Sequence, residues 1–410
     1  MNILVLSHTF PYPPNEGIKL SLYNLIKEFS KVHNIYLLSF IDVKEKKYID
    51  TYITNLSSYT KKIFVIPHNP SKNFFKRSFS VFFSNQPYCI EQFFSEDFLT
   101  ELNKIVSLEH FDIIFFNFIT TAIYSKFIKS HFQGKKIIFL YDAVSMLFYR
   151  NFLTTKNFVK KYYWFNQYIK LLNFEFGLQK DFDKIVVVAQ KDKDWLIEKS
   201  KVDSEKIVVI PNGVDTKYFS PKGLNFQSPV AIIFRGIMNF QPNEDACIYF
   251  LTQIFPLVKK ILPEIKFYIV GPNPSKKILS FAKKDKNIVV TDYLEDIREY
   301  MLKSTINICP MISGSGIKHK ILESMSMGIP TITTTIGSEG IPELKNFENI
   351  LISDDPTDFA QKIVLLVKDK DLYKKIVVNG RKLIEEKYTW QIASKKFDLL
   401  FNSLRQNFTK

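Results

Sequence analysis

INICPMISGSGIKHKILESMSMGIPTIT, residues 306–333, is the stretch from which the fold of this chain is read. An apolar run (INICP) opens it, a glycine-punctuated loop (MISGSGIKHK) follows, then a helical segment (ILESMSM), the turn Gly328-Ile329-Pro330 and a second apolar run (TIT). Strand, loop, helix, turn and strand in that order form the βαβ unit of a parallel sheet. Gly314 and Gly316 let the backbone approach a ligand and aim N–H groups at it, and a helix N-terminus behind them favours an anion. Lys318 and Lys320 add positive charge beside that helix end, and Glu323 sits on the first helical turns, in reach of something polar above the sheet. The pattern alone also fits an ordinary βα turn with solvated lysines. It is not a P-loop, because the G-x-x-x-x-G-K-[ST] spacing is absent.

Working outward, 410 residues with 46% hydrophobic content exceed one ordinary core and suit two α/β domains. Cys89, Cys247 and Cys309 lie in or beside apolar stretches without metal-ligand spacing, which reads as buried thiols in a reducing compartment. The opening MNILVLS lacks a basic n-region, so no signal peptide is expected, and no apolar run nears the length of a membrane span. The net charge of +15 favours phosphate-rich partners or reflects a lysine-biased composition. No zinc-finger, RRM or KH signature accompanies it, so no nucleic-acid partner is expected.

The first half opens as β-loop-α-β: ILVLS, the proline-rich FPYPPNEGIK, the helical LSLYNLIKEFSK and NIYLLSF. Its first loop occupies the position where open α/β sheets bind ligands. His8 at the strand end is either a phosphate contact or a structural histidine, and Gly17 precedes the helix. KKIFVIPHNP, FDIIFFN and KKIIFLYD are further strands, the last ending at Asp142 with Ser145 just beyond. A polar residue there is either a functional group on the carboxyl rim or a helix cap. Between them, residues 71–94 alternate Lys72, Lys76 and Arg77 with phenylalanines, as a membrane-interface helix or a buried helix with charged rims would. Residues 150–182 form a long basic-aromatic helix pair with Glu175 as its lone interior acid. Asn212-Gly213 turns out of a strand toward a linker near residues 220–228. The second half restarts with VAIIFRG, where Arg235 and Gly236 end the domain's first strand, and closes in long helices with an interruption at Gly380.

The motifs PYPP-x-x-G, IPNGVD-x-x-x-F, FRG-x-M-x-x-x-PN-x-DA and GSG-x-K-x-K-x-LE-x-M-x-x-G-x-P together resemble the family 4 glycosyltransferases, over nearly the whole chain. The resemblance implies the GT-B fold: two Rossmann-like parallel-sheet α/β domains facing across a cleft. Residues 1–220, with a C-terminal helix at about 388–410 crossing back, would bind the acceptor, and residues 221–387 the nucleotide-sugar. Glu323 would hold the ribose hydroxyls, with Gly314, Ser315, Gly316, Ile317 and Gly236 supplying backbone around the donor and Tyr293 and Leu294 covering the base. Lys318, Lys320 and Arg235 would carry the diphosphate charge. Asp142 would act on the acceptor side with His8, Gly17 and Ser145. Glu175 corresponds to a glutamate that in the family faces the cleft. Four positions depart from the family pattern: Ser315 stands where many members have a second glutamate, Tyr141 where relatives have a histidine, Asn243 or a neighbour near a customary lysine, and Arg235 precedes the glycine that the usual arginine follows.

The function implied is that of a retaining, hexosyltransferase-type glycosyltransferase using a nucleotide-diphospho-sugar, UDP- or GDP-linked. It would act on a glycan or lipid-linked glycan in bacterial surface-polysaccharide synthesis. No tightly bound cofactor or metal is expected, as no D-x-D pair ends a strand. Peripheral association with the inner, cytoplasmic face of the membrane would fit such an acceptor. The alternative is a non-catalytic nucleotide-sugar or polyanion-binding protein on the same scaffold. A dehydrogenase is disfavoured because neither domain's first strand is followed by G-x-G-x-x-G.

Overall fold

Strands that are apolar at every position need cover on both faces, and here two parallel sheets provide the setting. The computed structural model describes residues 1–15, 17–69, 84–128, 132–223, 229–314 and 316–406. The basic-aromatic residues 72–83 and Ser315 lie outside the described residues. The chain forms two compact units, Met1–Asn212 with Trp390–Lys410, and Gly213–Thr389.

In the first unit the strands are β1 (Asn2–Ser7), β2 (Asn34–Asp42), β3 (Lys62–His68), β4 (Ile113–Asn117), β5 (Lys135–Tyr141), β6 (Lys184–Val187) and β7 (Ile207–Val209). They pair in the order β3-β2-β1-β4-β5-β6-β7, all parallel. In the second unit β8 (Ala231–Arg235), β9 (Lys266–Val270), β10 (Ile288–Val290), β11 (Ile306–Cys309), β12 (Thr331–Thr333) and β13 (Leu351–Ile352) pair as β10-β9-β8-β11-β12-β13, again all parallel. Each order reverses once, between β1 and β4 and between β8 and β11. Ligands of open α/β sheets bind beyond the carboxyl ends of the strands at such a reversal. In the first unit that places Ser7, His8 and Asn117 at the rim, and in the second Arg235 and the loop after Cys309.

Much of the phenylalanine content is core. The closing helix Trp390–Gln406 brings Phe397 and Phe401 against Phe29 and Phe115 of the first unit, at ring-centroid distances of 5.5, 5.5, 5.6 and 6.4 Å, all four edge-on. Each such pair adds about 0.5–1.5 kcal/mol beyond the area it buries. His33 reaches Asp398 of the same helix at 2.9 Å.

Two helical irregularities appear, and one local expectation changes. The segment after β4 is a nine-residue 3-10 stretch, Ile119–Phe127, entered through Phe118 at φ 78°. The helix after β8 is split by a π turn, Phe250–Ile254, just ahead of Pro256. A proline has no N–H for the α ladder, and a local shift of register absorbs the gap. Gly380 does not interrupt anything: the helix Lys370–Lys387 runs through it. A Cβ there would lie 3.2 Å from Met325 Cε and 3.3 Å from the Asn349 carbonyl, so the glycine serves close packing.

Candidate functional site

The loop after β11 is shaped by two glycines in the left-handed region, Gly314 at φ 111° and Gly316 at φ 66°. The helix it feeds, His319–Ser326, starts two residues before the apolar ILESMSM run, with Lys318 as its N-cap and Lys320 in its first turn. Two lysines therefore flank a set of helix N–H groups that have no intrahelical acceptor, an arrangement suited to an anion. Lys318 Nζ donates to the Gly316 carbonyl at 3.0 Å. Thr334 donates to Met311 O at 2.6 Å and Thr333 to Cys309 O at 2.9 Å, which fastens the base of the loop to the end of β12.

Arg235, the last residue of β8, turns toward that helix. Its Nη1 donates to Glu323 Oε2 at 2.7 Å, and its Nη2 donates to Lys320 O at 2.9 Å and to Ser324 Oγ at 3.2 Å. Arg235 is 4% exposed and Glu323 7%, so this is a buried ion pair. Lys320 Nζ donates to Asn243 Oδ1 at 2.7 Å and lies 4.3 Å from the Phe234 ring centre. Burial is the largest cause that pushes this ammonium down to about 8, with the charges of Lys318 and Arg235 adding to it. His319, one turn ahead of Glu323, is likewise pushed down by burial. Asn243 also donates to Ile237 O at 3.1 Å, so it spans the turn after Gly236 and the lysine.

The structure thus gathers Arg235, Gly314, Gly316, Lys318, Lys320 and Glu323 around one helix N-terminus, with Gly236 directly after Arg235 and Ile317 buried within the loop. The β10 exit is joined to the turn after β9: Gly271 N–H donates to Thr291 Oγ1 and Asn273 N–H to Asp292 Oδ1, both at 3.2 Å. Tyr293 follows them, 57% exposed, with Leu294 half-buried beside it.

The expected acceptor-side residues belong to the first unit. His8 packs its ring on Phe93 and Phe118, its Nδ1 is buried without a partner among the described residues, and burial pushes the imidazole down to about 4. Tyr141 donates its hydroxyl to Asn117 Oδ1 at 2.8 Å, so the tyrosine in the family's histidine position faces inward. It sits at φ 65°, where the register of β5 against β6 shifts, and a bulge of this kind redirects the side chain that follows. Asp142 is that next residue, half-buried. Ser145 is fully buried: its N–H and hydroxyl donate to Glu175 at 2.9 and 2.6 Å, and Trp195 Nε1 donates to its Oγ at 2.9 Å. Its hydroxyl is committed to the interior and does not present itself to a ligand. Glu175 also departs from the family expectation. It is fully buried, accepts a further bond from Ser200 at 2.5 Å, and is pushed up by desolvation. Gly17 is the first residue of the helix Gly17–Phe29, with open space where a Cβ would be.

Sequence reasoning missed Asn117, Ser200 and Asp192, the last of which accepts from Ala143 N–H at 2.9 Å. Asn117 had a signal, a lone polar residue closing an apolar strand. The other two lie later in the chain and carried none. Among the described residues, no three His, Cys, Asp or Glu side chains gather as a metal site, and no helix is long and apolar enough to cross a membrane.

Two family descriptions match the chain: Glycosyltransferase Family 4 over residues 17–218, and Glycosyl transferases group 1 over residues 229–369. An uncharacterized 44.6 kDa protein in the cps region of Klebsiella pneumoniae is 23% identical, covering 97% of this chain and 98% of its own. The UDP-Gal:alpha-D-GlcNAc-diphosphoundecaprenol alpha-1,3-galactosyltransferase of Escherichia coli is 24% identical over 49% of this chain and 57% of its own length. Among solved structures, Anabaena HepE in complex with UDP-glucose superposes with a TM-score of 0.68 at 14% identity, over 98% of this chain and all of that one. That likeness is of fold, and the fold is GT-B.

Proposed function

Because the chain belongs to the family 4 glycosyltransferases, we propose that it transfers a hexose from a UDP- or GDP-sugar, with retention at the anomeric carbon, to a glycan or lipid-linked glycan acceptor. The observation that carries this reading is the single helix N-terminus in the second unit around which Lys318, Lys320 and Glu323 converge. Glu323 takes the ribose, and the two glycines bring backbone N–H groups to the diphosphate. Tyr293 and Leu294 border the base.

The reaction needs little else. The bond from the sugar C1 to the phosphate oxygen breaks while the acceptor oxygen bonds to C1 on the same face. The acceptor's proton passes to the departing diphosphate. Lys318, Lys320 and the helix N–H groups hold the negative charge that grows on the leaving oxygen, the kind of preorganised stabilisation that contributes most to such reactions. Arg235 acts behind Glu323. In the first unit Asp142 and His8 serve the acceptor, with Gly17 leaving room at the helix start.

A lipid-linked acceptor at the inner face of the membrane is supported by the helix Phe158–Asp181. It exposes Phe158, Val159, Tyr162, Phe165, Ile169 and Phe176 among Lys160, Lys161, Lys170 and Lys180, an aromatic-basic surface suited to anionic headgroups. The Escherichia coli relative, whose name carries a diphosphoundecaprenol-linked saccharide, supports the same class of acceptor.

The test is a transfer assay of the purified protein with UDP-, GDP-, ADP- and dTDP-sugars and polyprenyl-diphosphate-linked saccharides, with and without EDTA. One nucleoside diphosphate should be released in step with a product of retained anomeric configuration. Saturable donor binding with neither transfer nor hydrolysis would instead make the chain a binding protein on this scaffold.

A further inference from the structure

We propose that Arg235 is a positioning residue that turns Glu323 into a fixed reader of the ribose, so that the site separates ribonucleotide from 2′-deoxyribonucleotide donors. The inference rests on the proposed function, which places the nucleotide at Glu323. Its ground is the way the guanidinium is spent. Three acceptors, Glu323 Oε2, Lys320 O and Ser324 Oγ, take its two terminal nitrogens, and all three belong to one helix. Its Nε is buried without a partner among the described residues. Three of its four terminal N–H groups are committed to that helix in this way, which leaves a single Nη1–H for any other acceptor.

What the pair does for Glu323 is geometric. A glutamate on a helix has three side-chain torsions, and fixing them on ligand binding costs affinity unless they are fixed beforehand. The 2.7 Å bond from Arg235 fixes one carboxylate oxygen in advance. Oε1 accepts no hydrogen bond among the described residues, and Oε2 retains a second lone pair. Two neighbouring hydroxyls can each meet one oxygen of such a carboxylate. A 2′-deoxyribose brings one hydroxyl fewer and leaves one carboxylate oxygen of a 7% exposed side chain without its donor. Sites built to bond a hydroxyl reject the analogue lacking it for this reason. The arginine's planar fork matters, because Nη2 is held by Lys320 O and Ser324 Oγ while Nη1 meets the carboxylate, whereas a lysine would bring one ammonium on a flexible stem.

The experiment is calorimetric binding of UDP, 2′-deoxy-UDP, GDP, 2′-deoxy-GDP and inorganic pyrophosphate to the full chain and to its Arg235→Met, Arg235→Lys and Glu323→Gln variants. Pyrophosphate, which has no ribose, reports whether the lysine site of each variant is intact. The wild type should prefer the ribonucleotide by about 10–100-fold, the value of one hydrogen bond to a charged group. Arg235→Met should shrink that preference to within about threefold while pyrophosphate binding is kept, and Arg235→Lys should fall between. Should the methionine variant not fold, the lysine variant alone decides. Ribose, deoxyribose and pyrophosphate affinities that weaken in parallel, with the preference intact, would overturn the inference and leave Arg235 a structural tie. A wild type that binds pyrophosphate but neither ribonucleotide would overturn the donor assignment itself, and the inference with it.

Discussion

Lys320 and Asn243 meet at 2.7 Å, ammonium to amide oxygen, and through them the helix that follows β11 is tied to the helix that follows β8. Asn243 lies close to where the family has a lysine, and here it holds a lysine supplied by the other loop. In the proposed donor site the cationic charge is then supplied by the loop after β11.

Asn243→Ala removes that tether and leaves the buried ammonium short of an acceptor. Loss of a hydrogen bond to a charged group costs about 1.5–3 kcal/mol, so pyrophosphate and nucleoside diphosphate binding should weaken roughly 10–100-fold. Calorimetric titration with pyrophosphate measures it directly. An unchanged affinity would mean Lys320 needs no tether.

Lys320 also sets a pH dependence. Burial pushes it down to about 8, so in the empty site it is charged below that pH and loses its proton above it. A bound diphosphate favours the charged form, so donor affinity should be flat below about pH 7 and fall by up to tenfold per pH unit above 8. Lys320→Met should flatten the curve. Stability moves the other way. Between pH 8 and the unfolded value of 10.5 the unfolded chain binds more protons than the native one, so this group adds stability as pH rises through that window.

Gly340 is a second handle on the donor loop. A Cβ on it would fall 2.7 Å from the Gly316 carbonyl oxygen and 2.8 Å from Ile317 Cα, both backbone atoms that cannot swing aside. Gly340→Ala should therefore displace the Gly316–Ile317 backbone and weaken diphosphate binding at least about tenfold, while costing about 1–3 kcal/mol of stability. A variant with wild-type affinity would show that the loop's resting position is unimportant for binding.

Glu175 organises the first unit from inside. Glu175→Ala would strand the Ser145 N–H and the Ser145 and Ser200 hydroxyls, at a cost of at least about 3 kcal/mol. Glu175→Gln keeps the shape and most of the bonds. Desolvation raises the Glu175 carboxyl above its ordinary 4.5, so its stability contribution is full below pH 4.5 and is lost as pH rises through the native value. Melting temperature against pH should fall across that window in the wild type and less so in the glutamine variant. Parallel curves would place the charge elsewhere.

The architecture was legible because its signals are local. FDIIFFN and KKIIFLYD are apolar enough to require cover on both faces, and the Ile306–Thr333 stretch carries its own strand, loop, helix and strand order. What was hidden depends on pairing across long separations. Arg235 and Glu323 are 88 residues apart, and nothing in FRG says that the arginine faces a helix. Ser145 read equally well as a rim residue or a cap, and only Glu175 and Trp195, on two later helices, decide that it turns inward. The π turn at Phe250–Ile254 depends on where Pro256 falls within a packed helix, which hydrophobic spacing does not record.

The most direct test of the donor site is calorimetric titration of the protein, in EDTA, with UDP and GDP, repeated on Glu323→Gln and Lys320→Met. The wild type should bind one nucleoside diphosphate saturably, and each variant should bind it at least about tenfold more weakly. Glutamine is chosen over alanine because the buried Arg235 would otherwise lose its partner, which costs about 3–5 kcal/mol in such pairs. Binding of neither nucleotide, or binding that both variants leave unchanged, would contradict the assignment of the donor to the loop between β11 and its helix.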